Sequence, residues 1–307
     1  MIELERVSRV FGGFRAVDDV SLRVEDGEIL VLIGASGSGK STILQLMNRL
    51  QEASSGTIRF RGEDIGSIRP DLLRRQMGYV IQTGGLFPHW TVERNIATVP
   101  ALLGWTADRI AARVDELMAL LRLDAARLRL AYPHMLSGGQ QQRVGVARAL
   151  AAHPALLLMD EPFGALDPVT RAELQAELRR IHRETGCTIV FVTHDMDEAL
   201  GLASRIAIID AGRLVQLGTP LELLTQPAND FVRDFIGRDN LGLKLLSVQS
   251  ASDRLRPGGA AGGTPIQADA KLSAALSEMV TRGADRLPVV DGEGRPAGAL
   301  FLEDLVR

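Results

Sequence analysis

The chain opens with alternation. Residues 2–11, 15–24 and 57–60 alternate polar with apolar side chains, the period of half-buried strands. Between them EILVLIG (28–34) is apolar almost throughout. It gives way to a Gly/Ser loop and then to KSTILQLMNRL (40–50) at helical spacing. A strand opening through glycine into a helix begins a βα unit. YVIQ (79–82) predicts a short strand, and residues 91–152 read as mostly helical, with Ile110, Val114, Leu117 and Leu121 on one face. Two more strands, ALLLMD (155–160) and TIVFVTH (188–194), are apolar nearly throughout and flank a charged helix around TRAELQAELRRIH (170–182). Strands apolar on both faces predict a mostly parallel sheet covered on both sides. RIAIIDAGRLVQLG (205–218) predicts a hairpin turning at Ala211-Gly212.

Near residue 240 the character changes. PGGAAGGTP (257–265) is loop-like; a helix (KLSAALSEMVTRG), a strand (RLPVVD), a turn, and a last strand and helix follow. The division predicted is an α/β domain over 1–240 and a small α+β module over 241–307. Leu287, Val289 and Val290 make an apolar strand that needs covering.

Composition narrows the class. A length of 307 residues fits one large α/β domain and a small second one. The net charge of -3 gives no global reason to expect nucleic acid. The single cysteine, Cys187, cannot form an internal disulfide, which suits a reducing compartment; before an apolar run it reads as a small buried thiol, with catalysis as the alternative. MIELERVSRV lacks the apolar core of a signal peptide, and no stretch approaches the ~18 apolar residues of a membrane span. The chain is therefore expected in the cytoplasm, with any membrane role exerted through a partner. Lysine occurs only at 40, 244 and 271 among 35 basic residues, so Lys40 invites a chemical reason.

That reason is a phosphate cradle. GASGSGKS (34–41) has the full P-loop pattern, between a strand and a helix. Gly34, Gly37 and Gly39 let the backbone curl so that its N–H groups meet phosphate oxygens, and the helix start adds its positive end. Ser36 and Thr42 belong to the same cradle. Lys40 supplies a compact charge for the β- and γ-phosphates, and Ser41 a hydroxyl for Mg²⁺. Asp160, ending its strand, can hold Mg²⁺ directly or through water, and Glu161 can accept a proton from attacking water. His194 ends a third strand and is placed to reach the γ-phosphate; strand carboxyl ends gather ligands in such sheets. LSGGQ (136–140) offers Ser137, Gly138, Gly139 and Gln140 at a second helix start, another anion site and also an ordinary capped helix.

LSGGQQQRVGVARAL (136–150), with the P-loop and ALLLMDEP, resembles the ABC-type ATPases over residues 1 to about 237. The resemblance implies a P-loop cassette with a mostly parallel core sheet, an antiparallel β subdomain and a helical subdomain. It implies ATP and Mg²⁺ as cofactors. It also implies a head-to-tail dimer with a second copy of the chain, each signature closing over the ATP on the other's P-loop. By the same resemblance Phe11 stacks on adenine, Gln82 touches Mg²⁺ and the attacking water, and the segment GALD (164–167) places Asp167 at the dimer interface. QTGGLFPHWTVERNIATVP (82–100), THDMDEAL (193–200) and the tail resemble the importers of osmoprotectants such as glycine betaine, with a C-terminal CBS motif. The implied partners are a transmembrane permease and, indirectly, an extracytoplasmic solute-binding protein, with no nucleic acid. The implied location is the cytoplasmic side of the inner membrane, peripheral through the permease. The cluster Leu86, Phe87, Pro88 and Trp90 is either local packing or a pocket for a permease helix. Alternatives are a soluble non-transport ABC ATPase, or an importer ATPase for an amino acid or polyamine. In the tail Asp304 stands where CBS motifs hold a ribose, but Phe301 replaces their usual hydroxyl, so dimerisation or ionic-strength sensing is expected over AMP sensing. Pairing of two tails is expected because one CBS motif leaves sheet faces exposed.

Overall fold

The computed structural model describes residues 1–81, 85–164, 166–237, 240–258 and 262–305. They form two compact units, 1–217 and 218–307. The first unit opens with β1 (Ile2–Phe11) and β2 (Phe14–Val24), joined to β4 (Ser55–Phe60) and β5 (Glu63–Asp64) in a sheet ordered β2-β1-β4-β5. β1 pairs antiparallel with β2 and β4, and β4 antiparallel with β5; β1 carries several bulges.

The second sheet holds β3 (Ile29–Ile33), β6 (Met77–Val80), β7 (Leu156–Asp160), β8 (Thr188–Thr193), β9 (Arg205–Asp210) and β10 (Arg213–Gly218), ordered β10-β9-β3-β8-β7-β6. β3 pairs in parallel with β8 and β9, and β7 with β6 and β8. Every residue of β3 and β8 is buried, as expected of central strands covered on both faces. The helix Lys40–Met47 contacts β2, β7 and β8, and its Ile43, Leu44, Leu46 and Met47 join Leu4, Val20, Leu32 and Val190 in one core cluster. The parallel topology brings the C-terminal ends of β3, β7 and β8 to one edge, the place such sheets use for ligands.

Most predicted elements are present, with ends shifted by up to three residues. The strand foreseen at 79–82 runs Met77–Val80, and Gln82 lies outside the described residues. In the helix Ala107–Leu120 the stripe of Val114 and Leu117 is buried, as is Leu121 just beyond it, while Ile110 is only half-buried.

In the second unit β11 (Ile266–Gln267) pairs in parallel with β12 (Arg286–Val290), and β13 (Pro296–Phe301) antiparallel with β12. The units part after Leu217, earlier than the division expected near 240. The physical reason is packing: the helix Pro220–Thr225 contacts the helix Leu241–Val248, and Lys244 Nζ donates to the Ile236 carbonyl. The apolar strand expected to need a cover finds one within the chain. Leu287 and Val289 are buried in a cluster with Leu272, Ala275 and Met279 of the helix Leu272–Arg282, so that face gives no reason for two tails to pair.

Candidate functional site

The loop after β3 is shaped by glycine. At Gly34 (φ 158°) a Cβ would fall 2.0 Å from the Ile209 carbonyl oxygen, and at Gly39 (φ 102°) 2.3 Å from that of Ala16. The second position is left-handed and crowded, so only glycine fits without strain. Gly39 also precedes the helix Lys40–Met47 with no side chain capping it, leaving the first helical N–H groups directed at the loop's concavity. Lys40 is buried. Its ammonium donates to the carbonyls of Gly34 at 2.9 Å and Ala35 at 2.7 Å and to Ser38 Oγ at 3.3 Å. Burial pulls its pKa down, and the carboxylates of Glu161 and Asp160 oppose that pull.

Asp160 ends β7 and accepts a hydrogen bond from Ser41 Oγ at 2.8 Å, joining the strand end to the loop's helix. Burial raises its pKa above the usual carboxylate range, reinforced by Glu161 and countered by the Ser41 bond and Lys40. Glu161 follows with φ 44°, a left-handed conformation disfavoured for a side chain of its size. This turn carries its carboxylate into the cavity, with Oε1 3.5 Å from His194 Nδ1 beyond the end of β8. Lys40, Ser41, Thr42, Ser36, Gly37, Gly39, Glu161 and His194 all line one cavity of about 710 Å³. That is within the range of small-molecule sites.

Two aromatic rings complete the lining. Phe11 and Phe14 face each other across a hairpin whose turn is Gly12-Gly13, both at positive φ, the pattern of a tight two-residue turn. Arg9 places its guanidinium 4.3 Å from the Phe11 ring. Phe14 is the more exposed of the pair, at 65% against 38%, and was not foreseen. The signal for it was the pairing register: a two-residue Gly-Gly turn sets Phe14 opposite Phe11.

The helix start expected as a second anion site stands apart. Ser137 caps the helix Gly138–Leu150 through a reciprocal box: its Oγ accepts from Gln140 N–H at 3.3 Å, and Gln140 Oε1 accepts from Ser137 N–H at 2.9 Å. None of residues 137–140 lines the cavity of Lys40. Asp167 caps the helix Pro168–Thr185, accepting from Val169 and Thr170 N–H at 3.1 Å each, and does not line that cavity either. Its pKa lies below the usual value because Thr170 hydrogen-bonds it. Cys187 is half-buried, and burial pushes its thiol up to about 11, an inert environment. A depression of about 770 Å³ on the antiparallel sheet has mixed charges that largely neutralise one another, Asp18 lying 2.6 Å from both Arg15 and Arg213.

Asn95 was also missed. It is fully buried on the short helix Val92–Ile96 and hydrogen-bonds the backbone of Phe87, Trp90 and Thr91. A polar residue between the apolar Val92 and Ile96 was its only trace in the sequence. The Phe87 and Trp90 rings meet tilted, with centroids 4.4 Å apart, and Arg94 lies over the Trp90 ring.

Residues 17–164 match the family described as ABC transporter, and residues 264–307 match the CBS domain. The chain is 58% identical to the glycine betaine uptake system ATP-binding protein YehX of Escherichia coli (strain K12), over 100% of this chain and 99% of that one. It is 49% identical to the glycine betaine/carnitine/choline transport ATP-binding protein OpuCA of Bacillus subtilis (strain 168), over 99% of this chain and 79% of that one. Among solved structures, the dimeric ABC transporter cassette MJ0796 superposes with a TM-score of 0.66 and 32% identity, covering 71% of this chain and 98% of that one.

Proposed function

The chain belongs to the ATP-binding subunits of ABC transporters, and from that premise we propose how its residues hydrolyse ATP and what the hydrolysis drives. The observation that carries the reading is the convergence of Lys40, Ser41, Glu161 and His194 on one cavity roofed by Phe11 and Phe14.

ATP enters with its base against the aromatic pair and its phosphates in the loop of residues 34–41. The loop's N–H groups and helix start receive the phosphate oxygens, and Lys40 exchanges its loop carbonyls for β- and γ-phosphate. The Ser41 hydroxyl and the Asp160 carboxylate, 2.8 Å apart, form an oxygen donor pair suited to Mg²⁺, which favours oxygen ligands and keeps several waters. Bound there, Mg²⁺ supplies charge neutralisation on the phosphate oxygens. Glu161 orients the attacking water and accepts its proton. His194 faces the γ-phosphate and restrains the Glu161 carboxylate. Gln82 is assigned to the water and the metal by resemblance alone.

The signature residues Ser137, Gly138, Gly139 and Gln140 are assigned to the nucleotide of a second copy, with Asp167 at that interface. Their separation from the Lys40 cavity supports this, as does likeness to a dimeric cassette. The Phe87–Trp90 face is assigned to a permease, whose cytoplasmic side would hold the protein at the membrane. Among the described residues no helix is long and apolar enough to cross a bilayer. The transported solute is proposed to be a quaternary amine such as glycine betaine, supported by the names of the relatives. The tail from residue 241 is read as a regulatory or dimerisation module. Its Asp304 is engaged at 2.6 Å by Arg256, whose guanidinium also covers the Phe301 ring, and this supports a role other than adenosine-nucleotide binding. The test is Glu161→Gln, expected to bind ATP normally and lose about 10²–10⁴-fold in turnover; hydrolysis near the wild-type rate would refute the assignment.

A further inference from the structure

The turn that carries His194 is fixed by side chains that do not line the ATP cavity. Thr193, buried at the end of β8, donates its hydroxyl hydrogen to Glu198 Oε2 at 2.5 Å and accepts from Asp195 N–H at 3.1 Å. Asp195 caps the helix Met196–Leu202, accepting from Asp197 and Glu198 N–H. His194 therefore sits between two anchored neighbours. Glu198 is buried, at 6% exposure, and burial raises its pKa, with the Thr193 bond the largest opposing influence. A buried carboxylate calls for a compensating cation.

Arg171, in the first turn of the helix Pro168–Thr185, is that cation. Its guanidinium lies 3.5 Å from Asp195 Oδ2 and 3.7 Å from Glu198 Oε1, and Nη2 donates to the Leu166 carbonyl at 3.3 Å. Its Nε is buried without a hydrogen-bond partner. Leu166 belongs to the segment 164–167, and Gly164 N–H donates to the Glu161 carbonyl at 3.2 Å. Glu161 N–H in turn donates to Val192 of β8 at 3.1 Å. The contacts link Arg171 to Leu166 on one side and, through Glu198 and Thr193, to the turn of His194 on the other, where His194 faces Glu161. Only a planar fork reaches three oxygens on two segments; a lysine point charge does not.

We propose that Arg171 is a positioning residue for ATP hydrolysis, tying Leu166 to the His194 turn so that His194 stays against Glu161. The proposal rests on the roles given above to His194 and Glu161. Arg171 does not line the ATP cavity; it acts through the geometry of the pair.

The test is steady-state ATPase of the full chain carrying Arg171→Ala, Arg171→Lys, His194→Ala and the Arg171→Ala/His194→Ala double change, with melting temperatures alongside. Arg171→Ala should lower kcat about 10-fold and leave KM for ATP within about twofold, because misplacement of a catalytic group affects the chemical step. Arg171→Lys should recover part of that loss. In the His194→Ala background the further loss from Arg171→Ala should shrink to under about twofold, since residues acting through one another are not additive. A loss of equal size in both backgrounds overturns the proposal in favour of plain structural damage. A wild-type kcat for Arg171→Ala beside an inactive His194→Ala overturns it while leaving the site reading intact. A wild-type rate for His194→Ala overturns the role of His194 itself, and the proposal with it. Should Arg171→Ala fail to fold, Glu198→Gln decides: it keeps the shape and the Thr193 bond and removes the charge facing Arg171. A loss of several-fold in kcat at unchanged KM supports the proposal, and wild-type kcat overturns it.

Discussion

Replacing Asn95 by alanine should loosen the loop that presents Phe87 and Trp90. The amide oxygen accepts from Phe87 N–H at 2.8 Å; the amide nitrogen donates to the carbonyls of Phe87 at 3.2 Å, Trp90 at 3.1 Å and Thr91 at 3.0 Å. Two amide hydrogens serve three acceptors, so the set amounts to roughly three full bonds at about 1 kcal/mol each. Water reaches part of this loop, since Phe87 is 44% exposed, and will replace some of what is lost. A net destabilisation of about 2–3 kcal/mol results, or roughly 5–10 °C in the melting of the first unit. Scanning calorimetry of the full chain, with the transitions of the two units resolved, measures it. Asn95→Asp should be at least as harmful, because it keeps the acceptor but sets a buried charge against three carbonyl oxygens. A shift below about 2 °C for alanine, or an aspartate variant more stable than the alanine one, would refute the reasoning.

Asp160→Asn should stabilise the nucleotide-free fold at neutral pH while abolishing Mg²⁺-dependent hydrolysis. The pKa of Asp160 is raised in the fold, chiefly by burial, so its carboxyl favours folding fully below the unfolded value near 3.8 and loses that contribution as pH rises through the raised value. The advantage of the variant should therefore shrink as pH falls toward 3.8 in melting curves at several pH values; a constant difference would contradict the assignment. Phe14→Ala should raise KM for ATP about 3–10-fold at unchanged kcat, the worth of one aromatic contact; an unchanged KM would leave adenine to Phe11 alone.

The glycine loop of residues 34–41, the Asp160–Glu161 pair and the capped helix start at 136–140 were legible as candidates because residue type and spacing recur together in them. The parallel core was legible from strands apolar nearly throughout, and β3 and β8 are buried at every position. The features that escaped depend on contacts that residue type and periodicity do not reveal. Arg171 reads as one more charge on a charged helix until the helix Met196–Leu202 brings Glu198 beside it. Phe14 depends on hairpin register, and Asn95 on a loop folding back over its own helix. The division at Leu217 and not near 240 depends on the helix Pro220–Thr225, which looks like the end of the first unit yet packs on the helix Leu241–Val248. The strand of Leu287 and Val289 reads as uncovered because its cover is a helix earlier in the tail.

In the proposed dimer each ATP is held by the loop of one chain and closed over by residues 137–140 of another. Ser137→Arg separates those two roles when ATP affinity and turnover are measured on the same preparation. The dissociation constant for ATP in the monomer should stay within about twofold of wild type. Hydrolysis should fall by at least about 10²-fold, because the arginine blocks only the partner's phosphates. Loss of ATP binding by the Ser137→Arg monomer would contradict the shared site, since the signature would then serve the nucleotide of its own chain.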